Sequence, residues 1–202
     1  MNAIFNLDDL IIETDRLILR KWKIEDLDDF YEYACVPGVG EMAGWPHHES
    51  KEVSKKILEH FISGNKTFAI VYKENNKVIG SLGIELYKLA DKLSEFDGYY
   101  GREIGYVLSK DYWGMGLMPE AVKAVIEHLF KNLNYDFLLC SYFVKNNRSK
   151  RVQEKCGFKP YRKAVFDGVN DEKEPGIINL LINPDKKLTL NFSHPESLIY
   201  KN

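Results

Sequence analysis

The chain has 202 residues, 45% of them hydrophobic and 29% charged, with a formal net charge of -2. That length suits a single domain burying roughly 70% of its unfolded surface, so neither disulfides nor a metal is needed to hold it together. The balanced charge, with no long Lys/Arg block, gives no support for a nucleic-acid or anionic-membrane partner, and no apolar run approaches membrane-spanning length.

Met1 to Glu13 reads as a lead-in, with Asp8, Asp9 and Glu13 where a secretory leader would be basic and then apolar. The first strand is expected at Leu17 to Arg20, with Trp22 continuing the alternation. A helix follows through Asp26, Leu27, Phe30, Tyr31 and Ala34, its acids near the start where the helix dipole favours them, and Pro37 and Gly38 end it. Gly38, Gly40 and Ala43 match the loose dinucleotide pattern, but after a helix rather than a strand, and the match is rejected. His47, His48 and Glu49 lack a third ligand at convincing spacing and are read as a polar loop. The next helix places Val53, Ile57, Leu58, Phe61 and Ile62 on one face, and Gly64 is expected to cap it.

Thr67 to Tyr72 and Val78 to Leu86 read as an antiparallel pair joined by Glu74, Asn75, Asn76 and Lys77. Gly80, Ser81 and Gly83 superficially suggest a nucleophile elbow, but the spacing is wrong, and Ser81 is read as structural. Tyr87 to Gly101 is expected to be a longer loop carrying Asp91, Glu95 and Asp97.

Ile104 to Leu108 is strand-like, and Ala121, Val122, Val125, Ile126, Leu129 and Phe130 recur at helical spacing. Between them lie Trp113, Gly114, Met115, Gly116, Leu117 and Met118, with Pro119 suited to the first helical position. Two glycines before a helix leave first-turn NH groups open at the positive end of the dipole, an anion site built from backbone. No Lys followed by Ser or Thr succeeds Gly116, as a nucleoside-triphosphate loop requires, and Pro119 stands where a dinucleotide loop has its third glycine. Further on, Phe137 to Tyr142 is a strand. Asn146 to Ser149 leads a short helix with Val152 inward and Gly157 as C-cap, Phe158 opens the next strand, and the last strand covers Ile177 to Ile182. Cys35, Cys140 and Cys156 are odd in number and far apart, which fits a reducing, cytoplasmic compartment.

The run Tyr112, Trp113, Gly114, Met115, Gly116, Leu117, Met118, Pro119, Glu120, Ala121 resembles the acyl-coenzyme A loop of the GNAT N-acetyltransferases, in the tryptophan-containing form of the RimJ and RimL branch that acetylates N-termini of ribosomal proteins. The usual pattern has Gln or Arg at Trp113 and Gly or Ala at Met118. Asn146, Ser149, Val152, Glu154, Lys155, Gly157 and Phe158 resemble the second signature of that family, in the correct order. The resemblance spans roughly Ile12 to Ile182. It implies an α/β fold: a mixed, mostly antiparallel sheet splayed between the fourth and fifth strands, with helices on both faces. Residues 1–182 would form the domain and 183–202 an appended tail.

The same resemblance implies acetyl-CoA as co-substrate, with no metal, and direct attack by a primary amine. Tyr106, Val107 and Leu108 would face pantetheine and thioester, backbone from Gly114 to Met118 would bind the pyrophosphate, Trp113 would also belong to the cofactor site, and Asn146 would reach the pantetheine. The Leu108 NH is a candidate donor to the thioester carbonyl. Many relatives place a tyrosine beside the departing thiolate where this chain has Gln153, so Ser149 becomes the alternative donor, and it also reads as an N-cap. Glu103 is the candidate base, and a solvated strand-edge glutamate is its other reading. An α-amine, with an unperturbed pKa of about 7.7 to 8.0, needs less help from a base than lysine at about 10.4, which favours a protein N-terminus as acceptor. The alternatives are a small amine (antibiotic, polyamine or amino acid) and a non-catalytic acyl-CoA binder. Acceptor specificity is expected from Gly44 to Ser50 and Tyr87 to Gly101. A monomer and a homodimer are equally compatible with the sequence.

Overall fold

A computed structural model of the chain describes residues 1–87, 96–169 and 172–188. Its strands are β1 (Ile12–Glu13), β2 (Leu17–Lys21), β3 (Thr67–Tyr72), β4 (Lys77–Glu85), β5 (Gly101–Leu108), β6 (Phe137–Phe143), β7 (Lys159–Asp167) and β8 (Lys173–Ile182). They form one sheet in the order β1-β2-β3-β4-β5-β6-β8-β7, antiparallel throughout except where β5 meets β6. The helices are α1 (Leu27–Ala34), α2 (Lys51–Gly64), α3 (Leu117–Lys131) and α4 (Asn147–Lys155). None in the described residues is long and apolar enough to cross a membrane.

Alternation along β3 explains why both faces are covered. Phe68 and Ile70 enter the core beneath α3, while Ala69 and Val71 enter the one beneath α1 and α2. Every residue of β3 is consequently buried, as a central strand between two helical layers requires. A third cluster, built from Phe96, Phe137, Tyr161 and Ile178, supports the β6 to β8 end, with Phe96 stacked on Phe137 at 4.2 Å between ring centroids.

Several local details differ from the sequence expectations. The lead-in contributes β1, buries Ala3 and Leu7, and pairs with Gly101 through the Ala3 NH at 3.0 Å. Asn65, not Gly64, caps α2 with a left-handed φ of 50°. Pro119 is the third residue of α3, still within the turn whose NH groups have no helical partner, so its missing donor costs nothing. The N-cap of α4 is Asn146, whose side chain accepts from the Ser149 NH at 3.1 Å, so Ser149 sits inside the first turn. β8 begins at Lys173, earlier than its apolar stretch suggested.

Asp91 and Glu95 lie outside the described residues, as does the chain from 189 onward. Ordered packing nevertheless continues past Ile182: the buried Asn183 donates to the Tyr135 carbonyl at 2.8 Å, and Leu188 rests on the third cluster. The sheet opens where the resemblance placed its splay. The β5–β6 ladder covers Gly101–Glu103 against Phe137–Leu139 and then stops, and a count that includes the two-residue β1 makes these the fifth and sixth strands.

Candidate active site

The hydrogen-bond phase of β5 decides what faces that opening. Gly80 pairs with Leu108, and the Ser109 NH donates to the Ile79 carbonyl at 2.8 Å. Bonded and non-bonded pairs alternate in an antiparallel ladder, so Glu103, Gly105 and Val107 turn their backbone groups toward β4. Ile104, Tyr106 and Leu108 turn theirs away, toward the gap. The Leu108 carbonyl, on that side, accepts from Trp113 Nε1 at 2.9 Å. Backbone donors and acceptors that look into a gap between strands call for a partner that lies along them.

The glycine turn stands at the end of this edge. Gly114 and Gly116 have φ of 83° and 77°, a left-handed geometry that side chains rarely adopt, and a Cβ on Gly114 would meet nothing within 4 Å. No side chain caps α3, so its first NH groups stay open at the positive end of the dipole. The turn is held from outside. Arg16 Nη1 donates to the Met115 carbonyl at 3.0 Å, and Arg16 Nε donates to Glu120 at 2.8 Å, while Thr14 donates to the same carboxylate at 2.6 Å. Burial pushes the Glu120 carboxyl up, but the bonds from Thr14 and Arg16 outweigh it and leave the pKa below its ordinary value. From α4, the Arg148 guanidinium lies 4.1 Å from the centroid of the Trp113 ring.

A cleft of about 1020 Å³ runs along the edge and through the opening. It is lined by Glu103, Tyr106, Val107, Leu108, Trp113, Gly114, Gly116, Leu117, Met118, Asn146 and Ser149, but not by Met115, which points outward. Asn146 has both ends of its amide committed, one to the Ser149 NH and the other to the Met42 carbonyl at 3.0 Å. The side chain thus caps α4 while it lines the cleft, with one amide hydrogen and one lone pair beyond these two bonds.

Ser149 Oγ lies 3.0 Å from the Tyr106 hydroxyl and accepts from Gln153 Nε2 at 3.1 Å. Burial pushes the Tyr106 pKa well above the ordinary phenol value, so its hydroxyl keeps its proton. Glu103 points to the other face of the sheet, where Ser141 Oγ donates to it at 2.6 Å. Glu85 stands opposite Glu103 in the β4–β5 ladder and pairs with Lys66. Burial also pushes the Cys140 thiol, which lines the cleft, well above its ordinary value and leaves it a poor nucleophile.

The cleft is also lined by Val39, Met42 and Ala43, just ahead of the expected Gly44 to Ser50, and by Ala164, Val165 and Phe166 of β7. His47 and His48 turn to separate partners, Glu41 at 2.8 Å and Ser54 at 2.7 Å. Ser141 and Asn179 were missed in the sequence. Their signal is a lone polar residue within an apolar strand, Ser141 in Leu138 to Phe143 and Asn179 in Ile177 to Ile182.

A family model described as an acetyltransferase (GNAT) domain matches residues 16–159. The uncharacterized N-acetyltransferase YoaA of Bacillus subtilis (strain 168) is 30% identical over 162 residues, covering 73% of this chain and 82% of its own. The ribosomal-protein-S5-alanine acetyltransferase from Vibrio fischeri superposes with a TM-score of 0.67 at 23% identity, over 89% of this chain and 100% of that one. The Microcin C7 self immunity acetyltransferase MccE, solved in complex with acetyl-CoA and AMP, has a TM-score of 0.67 at 18% identity, over 84% of this chain and 93% of that one. Both structures share the fold described above.

Proposed function

The chain belongs to the GNAT family of acetyltransferases, enzymes that use acetyl-CoA, and on that premise we propose that it acetylates a protein N-terminal α-amine. The observation that carries the reading is the backbone of Tyr106 and Leu108 turned into an open cleft, with the glycine turn at one end and Glu103 across the sheet.

Backbone NH groups from Gly114 to Met118 hold the pyrophosphate, and the edge of β5 pairs with the pantetheine arm. A neutral amine entering from the Glu103 face attacks the thioester carbon. The C–N bond forms, the C–S bond breaks, and the ammonium proton passes to Glu103 directly or through water. The Leu108 NH stabilises the developing oxyanion, and Ser149 donates a hydrogen bond to the departing sulfur. The high thiol pKa of Cys140 supports direct transfer over a cysteine acyl-enzyme. Two things favour an α-amine: its lower pKa suits a single carboxylate base, and the Vibrio fischeri fold neighbour is named for a ribosomal protein.

Thermal unfolding with acetyl-CoA, against ATP and NAD, tests the cofactor. A ligand at 100 times its dissociation constant adds about 2.7 kcal/mol, a rise of about 5 to 11 °C at this size. Mass spectrometry with alanyl and seryl peptides, spermidine and an aminoglycoside then tests the acceptor. Acetyl on the peptide α-amine is expected; acetyl on the small amines alone overturns the acceptor assignment.

A further inference from the structure

We propose that Gln153 is a positioning residue that closes the direction beneath Ser149 to its hydroxyl proton and so favours aiming that proton at the cleft, a reading that rests on Ser149 acting at the departing sulfur. Gln153 lies in the last turn of α4 with no exposed surface. Its amide orientation is fixed by chemistry. The Ser141 backbone carbonyl accepts only, so the Gln153 nitrogen must face it, at 3.1 Å. The second hydrogen of that nitrogen goes to Ser149 Oγ, also at 3.1 Å. At the other end, Gln153 Oε1 accepts from Asn179 Nδ2 at 2.9 Å, and Asn179 is itself buried.

Ser149 Oγ therefore receives a hydrogen from below, in a cluster where the Tyr106 hydroxyl also lies within reach of Gln153. Its own proton has two directions left, the Tyr106 oxygen and the cleft. Tyr106 stays protonated, and its acceptors in reach include Ser149 Oγ at 3.0 Å, the Ser149 carbonyl at 3.2 Å and the Cys140 sulfur. When Tyr106 donates to Oγ, the Ser149 proton is left facing the cleft. Replacing the donor at 153 with an acceptor would open the inward direction and capture that proton. The buried Asn179 and the Ser141 carbonyl keep the amide from turning over, so the arrangement is set before substrate arrives.

The test compares wild type, Ser149→Ala, Gln153→Met and the double variant by CoA release from acetyl-CoA. The acceptor is whichever of an alanyl peptide, a seryl peptide or spermidine turns over, or otherwise water, whose slow attack expels the same sulfur. Gln153→Met is expected to lower kcat about tenfold with the KM for acetyl-CoA within about twofold, and to have no further effect once Ser149 is alanine. Wild-type kcat in Gln153→Met, or an equal extra loss in the Ser149→Ala background, overturns the inference and leaves the role of Ser149 standing. Wild-type kcat in Ser149→Ala overturns that role and the inference with it. Where Gln153→Met does not fold, Gln153→Glu retains the shape and the acceptor for Asn179. Buried against the Ser141 carbonyl its carboxyl is protonated and spends its one hydrogen there, leaving none for Ser149 Oγ, so the same loss in kcat is expected, and an unchanged kcat overturns the inference.

Discussion

Glu103 and Tyr106, three positions apart on β5, send their side chains to opposite faces of the sheet: Glu103 reaches Ser141 at 2.6 Å and Tyr106 reaches Ser149 at 3.0 Å. Odd spacing on a strand enforces this separation. A proton acceptor on one face and a donor on the other meet only where the sheet is open, which is where β5 parts from β6. On the proposed function, the amine and the thioester would therefore approach from different sides.

Glu103→Gln keeps the bond from Ser141 but removes the base. We expect kcat/KM to fall roughly 10²-fold, with activity recovering as pH rises and the acceptor amine loses its own proton. A pH–rate profile of the variant checks this, and a profile that superimposes on wild type would assign Glu103 to the strand edge alone.

Gly116→Val adds a branched side chain at a φ of 77°, where the new Cβ lies within 3.8 Å of Arg16 Nη2. The left-handed strain costs about 1 to 2 kcal/mol of stability. Titration calorimetry should show acetyl-CoA binding weakened by about tenfold or more, because the side chain enters the pyrophosphate approach. Unchanged affinity in the folded variant would refute the anion site.

Glu120→Gln tests the outer brace. The folded pKa of Glu120 is depressed, so its contribution is present above the unfolded value near 4.3 and is lost as pH falls through the lower folded value. The variant should melt below wild type at pH 7, by about 1 kcal/mol given the partly exposed Arg16 partner, and the two curves should converge at acid pH. A gap that persists at pH 3 would contradict this assignment.

Asn146→Ala separates capping from ligand contact. Loss of the cap should cost about 1 kcal/mol, or about 2 to 4 °C in Tm. Acetyl-CoA affinity measured on the folded variant should stay within about threefold of wild type, since the amide is already bonded at both ends. A much larger loss would restore a direct contact.

The frame of the molecule was legible because its signals are local. Asn76, with a φ of 57°, turns the β3–β4 hairpin where the Glu74 to Lys77 chemistry indicated, and the apolar stripe of α3 runs at the expected spacing. The glycine turn was legible for the same reason, since two glycines and a helix start are adjacent in sequence. The donor network was not. Asn179, Gln153 and Ser149 meet only after β8 pairs with β6 and α4 packs against them, and no periodicity announces that meeting. The capping of α4 was misread because Asn146 and Ser149 are both good cap residues three positions apart, and only the backbone course selects between them. The early start of β8 was hidden by charged residues, which tolerate a strand whose only partner there is the edge strand β7.

The ladder between β5 and β6 is the shortest seam along the middle of the sheet. Gly80–Glu85 binds β5 to β4, and Phe137–Phe143 binds β6 to β8 along its whole length, whereas the β5–β6 ladder covers Gly101–Glu103 alone. A ligand laid along Tyr106 and Leu108 supplies the rungs that the seam lacks. Binding should therefore slow amide hydrogen exchange at those two residues, and on the proposed function the coenzyme would stand as a rung of the sheet it reacts in.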